Sequence, residues 1–524
     1  MEPLGRKTGY FAATVIVGFC AAASRLLGFL REVLIASVFG TGFVADALLV
    51  GLRLPNLLRR TLSEGGAQGA LVPWLIREKT RFGAAEARRG SGGLLLALAL
   101  AGLGSWLLVL AFNEALMRVL APGFAPDQPV FSLAAACLGL AFPLVGAGLL
   151  TAFATAWLSL RGAYLLAGLS GLLVNGAMVL LLVWFWQAGW SDPAAARWLA
   201  LAMGLAGLLQ AALLVGVVMW QADGPRLSVP VWDRIAPAGQ GLLPSLVFAA
   251  APQLSFLLLL AAATRWSGWS AQLVYAERLV QFPFGFIAAG LALVALPALS
   301  RLHEAGKNAA FCAGVAQALL LGLAMAVPAM TGLVLLADPI VFVLFRHGAF
   351  SAEAAATTAY ALQILAFSLP MLTVSRVCGQ AFFAQHFFKA PLLASLFAAL
   401  TVLLLSAWAQ EGADLAGVFV LAMAVDCLVL VGLGVQKNLF SGLSAYGPAF
   451  LKLFLCNGLF AACLRGVAET LSLGGEGLGD RAGVFFLLAL VILASLAFYG
   501  LALSFCRLWP LLLAKNPPTT LHDA

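Results

Sequence analysis

Tyr164–Trp186 reads YLLAGLSGLLVNGAMVLLLVWFW, without one charged side chain. As a helix rising about 1.5 Å per residue it would span roughly 35 Å, more than the ~30 Å hydrocarbon core of a bilayer. Ser91–Phe112, Ala196–Trp220 and Gly483–Phe505 have the same character. A soluble helix of that length would show a polar face every 3.6 residues, and these stretches show almost none. Composition agrees: 63% of the 524 residues are hydrophobic and 10% charged, against about 25% charged in soluble domains. The chain is expected to be an all-α polytopic membrane protein.

Segmenting the whole chain places about fourteen transmembrane helices near 10–39, 43–74, 91–112, 130–158, 164–186, 196–220, 240–263, 268–299, 309–335, 354–380, 390–408, 414–436, 447–467 and 483–506. Met1–Gly9 is short and basic, but the apolar stretch behind it runs past a signal-peptide core and carries arginines, so it reads as helix 1. Basic residues test the count. Arg6 and Lys7 precede helix 1; Arg77, Lys79, Arg81, Arg88 and Arg89 follow helix 2; Arg161, Arg226, Arg234, Arg301, Lys307, Lys389, Lys437, Arg507 and Lys515 follow later even-numbered helices. The other connections are richer in acids such as Glu114, Asp192 and Glu353. The positive-inside rule then puts both termini in the cytoplasm, which needs an even count, and accounts for much of the net charge of +8 without nucleic acid.

The chain also repeats itself. Ala70-Leu71-Val72-Pro73 and Ala295-Leu296-Pro297 stand about 225 residues apart, as do Arg53-Leu54 and Arg278-Leu279, the Val119-Leu120 and Val343-Leu344 segments, and Ala163-Tyr164-Leu165-Leu166 and Ala390-Pro391-Leu392-Leu393. Four matches in one order predict two six-helix lobes as a parallel repeat, over 1–225 and 226–440, with residues 441–524 adding two C-terminal helices and a tail. Substrate is expected between the lobes near the midplane.

Ionisable groups inside spanning helices are costly and read first as functional. Helix 1 carries Arg25 and Arg31, helix 2 carries Asp46, Arg53, Arg59 and Arg60, helix 8 carries Glu277 and Arg278, helix 10 carries Arg376, and helix 12 carries Asp426; Asn175 and Gln253 add polar groups. Cations dominate, so the expected cavity takes an anionic ligand, and arginine's planar fork suits phosphate or carboxylate. Asp46, Arg53 and Arg60 lie seven apart and would share a helix face, though Pro55 intervenes. The competing reading for Arg31, Arg53 and Arg60 is snorkelling or pairing with Glu32, Asp46 or Glu64. Asp46 reads as an orienting partner of an arginine, Glu277 as either that or a proton carrier, and Asp426 as a contact between helices. Arg376 stays open.

Eight scattered cysteines and four distant histidines show no metal spacing, and no connection gathers the His, Asp or Glu cluster a membrane enzyme would need. A non-enzymatic transporter without cofactor or metal is expected. A cationic-drug antiporter would want an acidic cavity instead.

Ser24-Arg25-Leu26-Leu27-Gly28-Phe29-Leu30-Arg31-Glu32, Asp46-Ala47, Arg53-Leu54-Pro55-Asn56-Leu57-Leu58-Arg59-Arg60, Glu64-Gly65-Gly66-Ala67, Val72-Pro73, Ala121-Pro122-Gly123-Phe124 and Tyr275-Ala276-Glu277-Arg278-Leu279 resemble the MurJ (MviN) family through the first twelve helices. The last two match in hydropathy only. That family comprises lipid II flippases in the superfamily of drug/cation antiporters and polysaccharide-precursor flippases. The resemblance implies a cationic cavity, a groove beside the last two helices for the undecaprenyl tail, and important positions at Arg25, Arg31, Asp46, Arg59 and Arg278. It emphasises Arg59 where straight-helix phase favours Arg60. It further implies a bacterial inner-membrane protein of peptidoglycan biosynthesis, with lipid II as partner and cell-wall synthesis proteins as further ones. Gln281 stands where some relatives carry an acid, and a carboxylate-rich sodium site has no evident counterpart here. Another undecaprenyl-pyrophosphate-linked oligosaccharide is the alternative substrate.

Overall fold

The computed structural model describes residues 10–62, 67–385, 387–473, 481–506 and 508, and all regular structure among them is helical. The chain divides into two compact units, Met1–Ala271 and Gln272–Ala524.

The first unit holds α1 (Tyr10–Phe39), α2 (Phe43–Thr61), α3 (Ala67–Ala111), α4 (Asn113–Leu120), α5 (Pro129–Ala141), α6 (Pro143–Leu160), α7 (Tyr164–Ala188), α8 (Pro193–Trp220) and α9 (Trp232–Ala263). Helix α1 packs on α7, α2 on α5, α6 on both α3 and α8. The core gathers Leu71, Trp74, Leu94 and Leu98 of α3, Phe153 and Trp157 of α6, Leu214 and Val218 of α8, and Ile235 of α9. Helix α10 (Trp269–Glu304) starts at the unit boundary. The second unit continues with α11 (Asn308–Leu335), α12 (Ala337–Leu344), α13 (Ala352–Ala366), α14 (Ser368–Ala384), α15 (Lys389–Leu405), α16 (Asp414–Gln436), α17 (Leu443–Leu473) and α18 (Arg481–Phe505). Its core joins α11 through Ala316, Leu320 and Ala324 to α17 and α18 through Leu453, Phe460, Val491 and Tyr499.

Local chemistry sets several boundaries. Pro193 fits the first turn of α8, where its missing N–H costs nothing, and the Asp192 carboxylate accepts from Ala195 N at 2.9 Å. Ser351 caps α13 likewise, accepting from Ala354 N at 3.1 Å.

Each expected segment coincides with a helix or a helix pair. Nine stretches among the described residues are long and apolar enough to cross a membrane, with Gln253–Ala263 and Lys389–Leu405 as shorter apolar helices. Two differences from the segmentation stand out. The expected helix 2 over 43–74 is two helices, α2 ending at Thr61 and α3 beginning at Ala67; Glu64, Gly65 and Gly66 lie outside the described residues. The basic connection after it is helical too, because Arg, Lys, Glu and Ala favour helix once apolar periodicity lapses. The chain is redirected only at Gly83, whose φ of +76° suits a residue without Cβ.

The repeat is visible in the irregularities. Helices α4 and α12 have eight residues each and begin 224 residues apart (113 and 337). The expected helices 4 and 10 are each interrupted at a phenylalanine, Phe142 and Phe367. Breaks and short helices recur where the apolar pattern alone gives continuous runs.

Candidate substrate site

Helix α1 carries its charge into a polar seam with α7. Arg31 is buried; its Nη2 donates to Glu32 Oε1 at 2.6 Å and its Nη1 to Asn175 Oδ1 at 3.1 Å. Asn175 Nδ2 in turn donates to the Ser24 carbonyl at 3.2 Å, and the Ser24 hydroxyl donates to the Gly171 carbonyl at 3.1 Å. The two backbones approach closely because Gly168 and Gly171 face α1: a methyl on Gly168 would lie 2.9 Å from Cys20 Cβ. The buried guanidinium has its charge balanced by Glu32 and its two terminal nitrogens hydrogen-bonded, while its Nε makes no hydrogen bond. Arg25, one and a half turns earlier, is exposed.

Helix α2 buries Asp46 and Arg53 on one face, as their seven-residue spacing requires. Asp46 is 1% exposed, and its partners are backbone groups: Oδ2 accepts from Gly268 N at 2.5 Å and Oδ1 from Ala271 N at 2.8 Å. The carboxylate thus caps the first turn of α10 from another helix, satisfying donors that have no partner inside that helix and complementing its positive end. Gly268, at φ +81°, forms the left-handed turn that aims its N–H at Asp46. The Arg53 guanidinium lies 4.3 Å from the centre of the Phe256 ring on α9, a cation–π contact away from water. Arg59 and Arg60 are half-buried, and the Arg59 stem rests against Gly148 of α6, where a methyl would meet its Cγ at 3.6 Å.

Helix α10 links its ionisable pair through an amide on the same helix. Glu277 is buried; Gln281 Nε2 donates to its Oε1 at 2.5 Å, and Gln281 Oε1 accepts from Arg278 Nη1 at 3.4 Å. Three and four residues apart, these side chains meet on one helix face. The amide therefore joins a carboxylate and a guanidinium without neutralising either. Tyr275, one turn before, is fully buried with Phe345 and Phe350 at 5.4 and 5.7 Å between ring centres.

Within the first unit, the structure brings Ser24, Arg31, Glu32 and Asn175 into one network, while Asp46 meets two backbone donors at the start of α10 and Arg53 meets the Phe256 ring. Arg376 is exposed and Asp426 is hydrogen-bonded by Ser375. Sequence reasoning missed Gly268 and Phe256 as partners of α2. It also missed Arg234, which joins Glu78 at 2.8 Å and Glu86 at 3.2 Å. The signal available for that cluster was an acid, Glu78, inside the basic run Arg77–Arg81.

A profile of the family described as "Lipid II flippase MurJ" matches residues 35–439. A "Probable lipid II flippase MurJ" of Rhizobium meliloti (strain 1021) is 30% identical over 390 residues, covering 72% of this chain and 71% of its own. The protein of the same name from Bdellovibrio bacteriovorus is 28% identical over 495 residues, 91% of both chains. Among solved structures, "Lipid II flippase MurJ, inward closed conformation" superposes with a TM-score of 0.74 at 18% identity, over 94% of this chain and all of that one. An inward-facing multidrug resistance MATE family transporter of the MOP superfamily reaches 0.67 at 14% identity, over 81% and 96%. The fold is shared with both, but the family profile matches through α2 and α10, where Asp46, Arg53, Glu277 and Arg278 lie, and this chain belongs to the lipid II flippase MurJ family.

Proposed function

We propose that this protein moves lipid II, the undecaprenyl-pyrophosphate-linked peptidoglycan precursor, from the cytoplasmic to the periplasmic leaflet of the bacterial inner membrane by alternating access, with both termini in the cytoplasm. Family membership supports the substrate. The observation that carries the chemistry is the concentration of arginines on α1, α2 and α10 of a chain with only 10% charged residues. A pyrophosphate crossing hydrocarbon faces a desolvation cost that cationic side chains offset.

The arginines divide by environment. Arg25 is exposed and Arg59 and Arg278 are half-buried, so these three guanidinium groups are the ones to meet the headgroup phosphates. Arg31, Arg53, Asp46 and Glu277 are buried and engaged with named partners, which suits them to holding helices in place, with Arg31 joining the headgroup at the edge of its Asn175 network. Arg60 extends the cationic face of α2. The undecaprenyl tail stays in lipid along α17 and α18, which expose Leu451, Leu455, Leu459, Leu490 and Leu493. A net positive empty site would also respond to membrane potential, at roughly 2.3 kcal/mol per charge per 100 mV, giving a reset that needs no bound ion.

The test is survival of a bacterium depleted of its own lipid II flippase, with wild type beside Arg25→Ala, Arg59→Ala and Arg278→Ala and membrane levels checked by immunoblot. Rescue by wild type and failure of well-expressed variants is the expected outcome. A well-inserted wild type that fails to rescue points to another undecaprenyl-linked oligosaccharide, and rescue by all three variants removes these arginines from the transport path.

A further inference from the structure

Trp220 ends α8 and Trp232 begins α9, and the residues between them form a non-helical strap. That strap is fastened along α3 beyond Gly83. Arg226 N–H donates to the Arg88 carbonyl at 2.9 Å, Arg88 Nε donates to the Gly224 carbonyl at 2.9 Å, and the Ser228 hydroxyl donates to the Arg89 carbonyl at 2.6 Å. The approach is tight enough that a methyl on Gly92 would sit 1.8 Å from the Arg226 carbonyl oxygen. At one end Trp157 donates to Gln221 at 3.2 Å and Arg161 pairs with Asp223. At the other, Arg234 grips Glu78 and Glu86 and lies 4.4 Å from the centre of the Phe82 ring. Strap and helix therefore form one body, held by backbone bonds and ion pairs.

The outer surface of that body combines two features. Trp220, Val229, Trp232 and Leu227 are 92%, 81%, 70% and 62% exposed, and Ile76 and Phe82 of α3 are exposed too. Exposed cations stand in the same segments: Arg77, Lys79, Arg81 and Arg89 on α3 and Arg226 on the strap. The acids are mostly occupied. Glu78 is buried against Arg234, Glu86 lies between Arg89 and Arg234, and Asp223 faces Arg161 with Lys79 near; Asp233 is exposed.

Two tryptophans and a run of aliphatic side chains turned outward would be costly against water. The strap cannot cross hydrocarbon either, since non-helical backbone facing lipid tails would leave its polar groups unsatisfied. Tryptophan and aliphatic side chains among arginine and lysine match the boundary between headgroups and acyl chains, where indole rings are amphipathic and cations meet lipid phosphate. We propose that the strap and the basic face of α3 together dock on an anionic lipid leaflet, with Trp220, Leu227, Val229 and Trp232 inserted at the acyl boundary and Arg77, Lys79, Arg81, Arg89 and Arg226 on the phosphates. This surface is separate from the arginines assigned to the transported headgroup, and it stands whatever the cargo.

Full-length protein in nanodiscs of phosphatidylcholine, with or without about one third phosphatidylglycerol, gives the test, read as hydrogen exchange of the strap amides. Each cation near an anionic surface favours its binding by about fivefold. The expected result is at least about fivefold slower exchange of the 226–233 peptide with phosphatidylglycerol present, most of it lost on raising the salt. Arg77→Gln/Lys79→Gln/Arg81→Gln/Arg226→Gln, four exposed changes, should abolish the difference while elution as a monodisperse peak and exchange of the α6 core peptides stay unchanged. Equal exchange in the two lipid compositions overturns the proposal, as does protection that appears only when cytosolic extract is added, which would assign the surface to a protein. Persistence of the difference in the quadruple variant would overturn the assignment to these cations.

Discussion

Helices α2 and α10 contain equivalent places of the internal repeat, with Arg53-Leu54 answering Arg278-Leu279, and the contacts seen at the two places differ in reach. On α2 the partners are remote: Asp46 bonds backbone N–H groups 222 and 225 residues away, and Arg53 faces Phe256 on α9. On α10 a contact one turn off joins the pair, with Gln281 between Glu277 and Arg278. A charge satisfied from afar ties elements together, and its removal loosens the fold.

The strongest way to break that comparison is to remove one partner on each side. Asp46→Ala strands two buried N–H donors at a helix start, and hydrogen bonds to charged groups are worth about 1.5–3 kcal/mol each. The expected loss is roughly 3–5 kcal/mol, read as thermal unfolding of the detergent-purified protein by size-exclusion fluorescence. Asp46→Asn should recover less than half, because its amide N–H₂ meets one of the two donors. Gln281→Ala should cost about 1–2 kcal/mol, since it removes one close hydrogen bond to Glu277 and a weak one to Arg278 at 3.4 Å. Equal losses for Asp46→Ala and Gln281→Ala would erase the distinction between remote and local satisfaction.

A smaller effect sharpens it at Arg53. Phe256→Leu keeps apolar volume but removes the ring face beneath the guanidinium, for an expected loss of about 1–2 kcal/mol. In an Arg53→Leu background the same change should cost about 1 kcal/mol less, because the cation–π term is already gone. Additive losses in this double-mutant cycle would show that the stacking is incidental and that only packing holds Phe256.

The same distance in sequence explains what could be read beforehand. The C-terminal limit of α1 and both limits of α16 were legible to the residue, because Gly40 follows the first and the apolar run of the second lies between Glu411–Asp414 and Lys437. Arg31 with Glu32 was visible as a possible pair, and Gln281 stood at the spacing that reaches Glu277. The partner of Asp46 was not legible: hydropathy and periodicity report the helix on which a residue lies, not a turn more than 200 residues later. Orienting an arginine was the expected role for Asp46, whereas the structure gives it two backbone donors. The breaks at Phe142 and Phe367 were masked by the apolar sequence around them, although each has a proline just beyond it, Pro143 at the start of α6 and Pro370 in the first turn of α14. The short helices α4 and α12 lay in what read as connections.

If burial rather than reach decides what a remote partner is worth, an exposed pair between distant residues should contribute little. Arg161 and Asp223 supply that case, 62 residues apart in sequence, with the Asp223 side chain 62% exposed. The Arg161 hydrogen bond holds the Asp223 carboxyl below the ordinary carboxylate range, against a smaller opposing effect of burial. An unfolded chain, with its carboxyl near the ordinary value of about 4, takes up the proton first as the pH falls. The pair therefore stabilises the fold above about pH 4, and that contribution disappears as the pH drops through the folded value. Solvent screening keeps it under about 1 kcal/mol. Asp223→Asn should accordingly lower the melting temperature slightly at pH 7, by less than any change at Asp46 or Phe256, and the difference from wild type should close as the pH is taken below about 4 and as salt is raised. A deficit at pH 7 as large as that of Asp46→Ala would mean that tying the strap to α6 matters more than desolvation, and that remoteness itself sets the energetic worth of a charge in this protein.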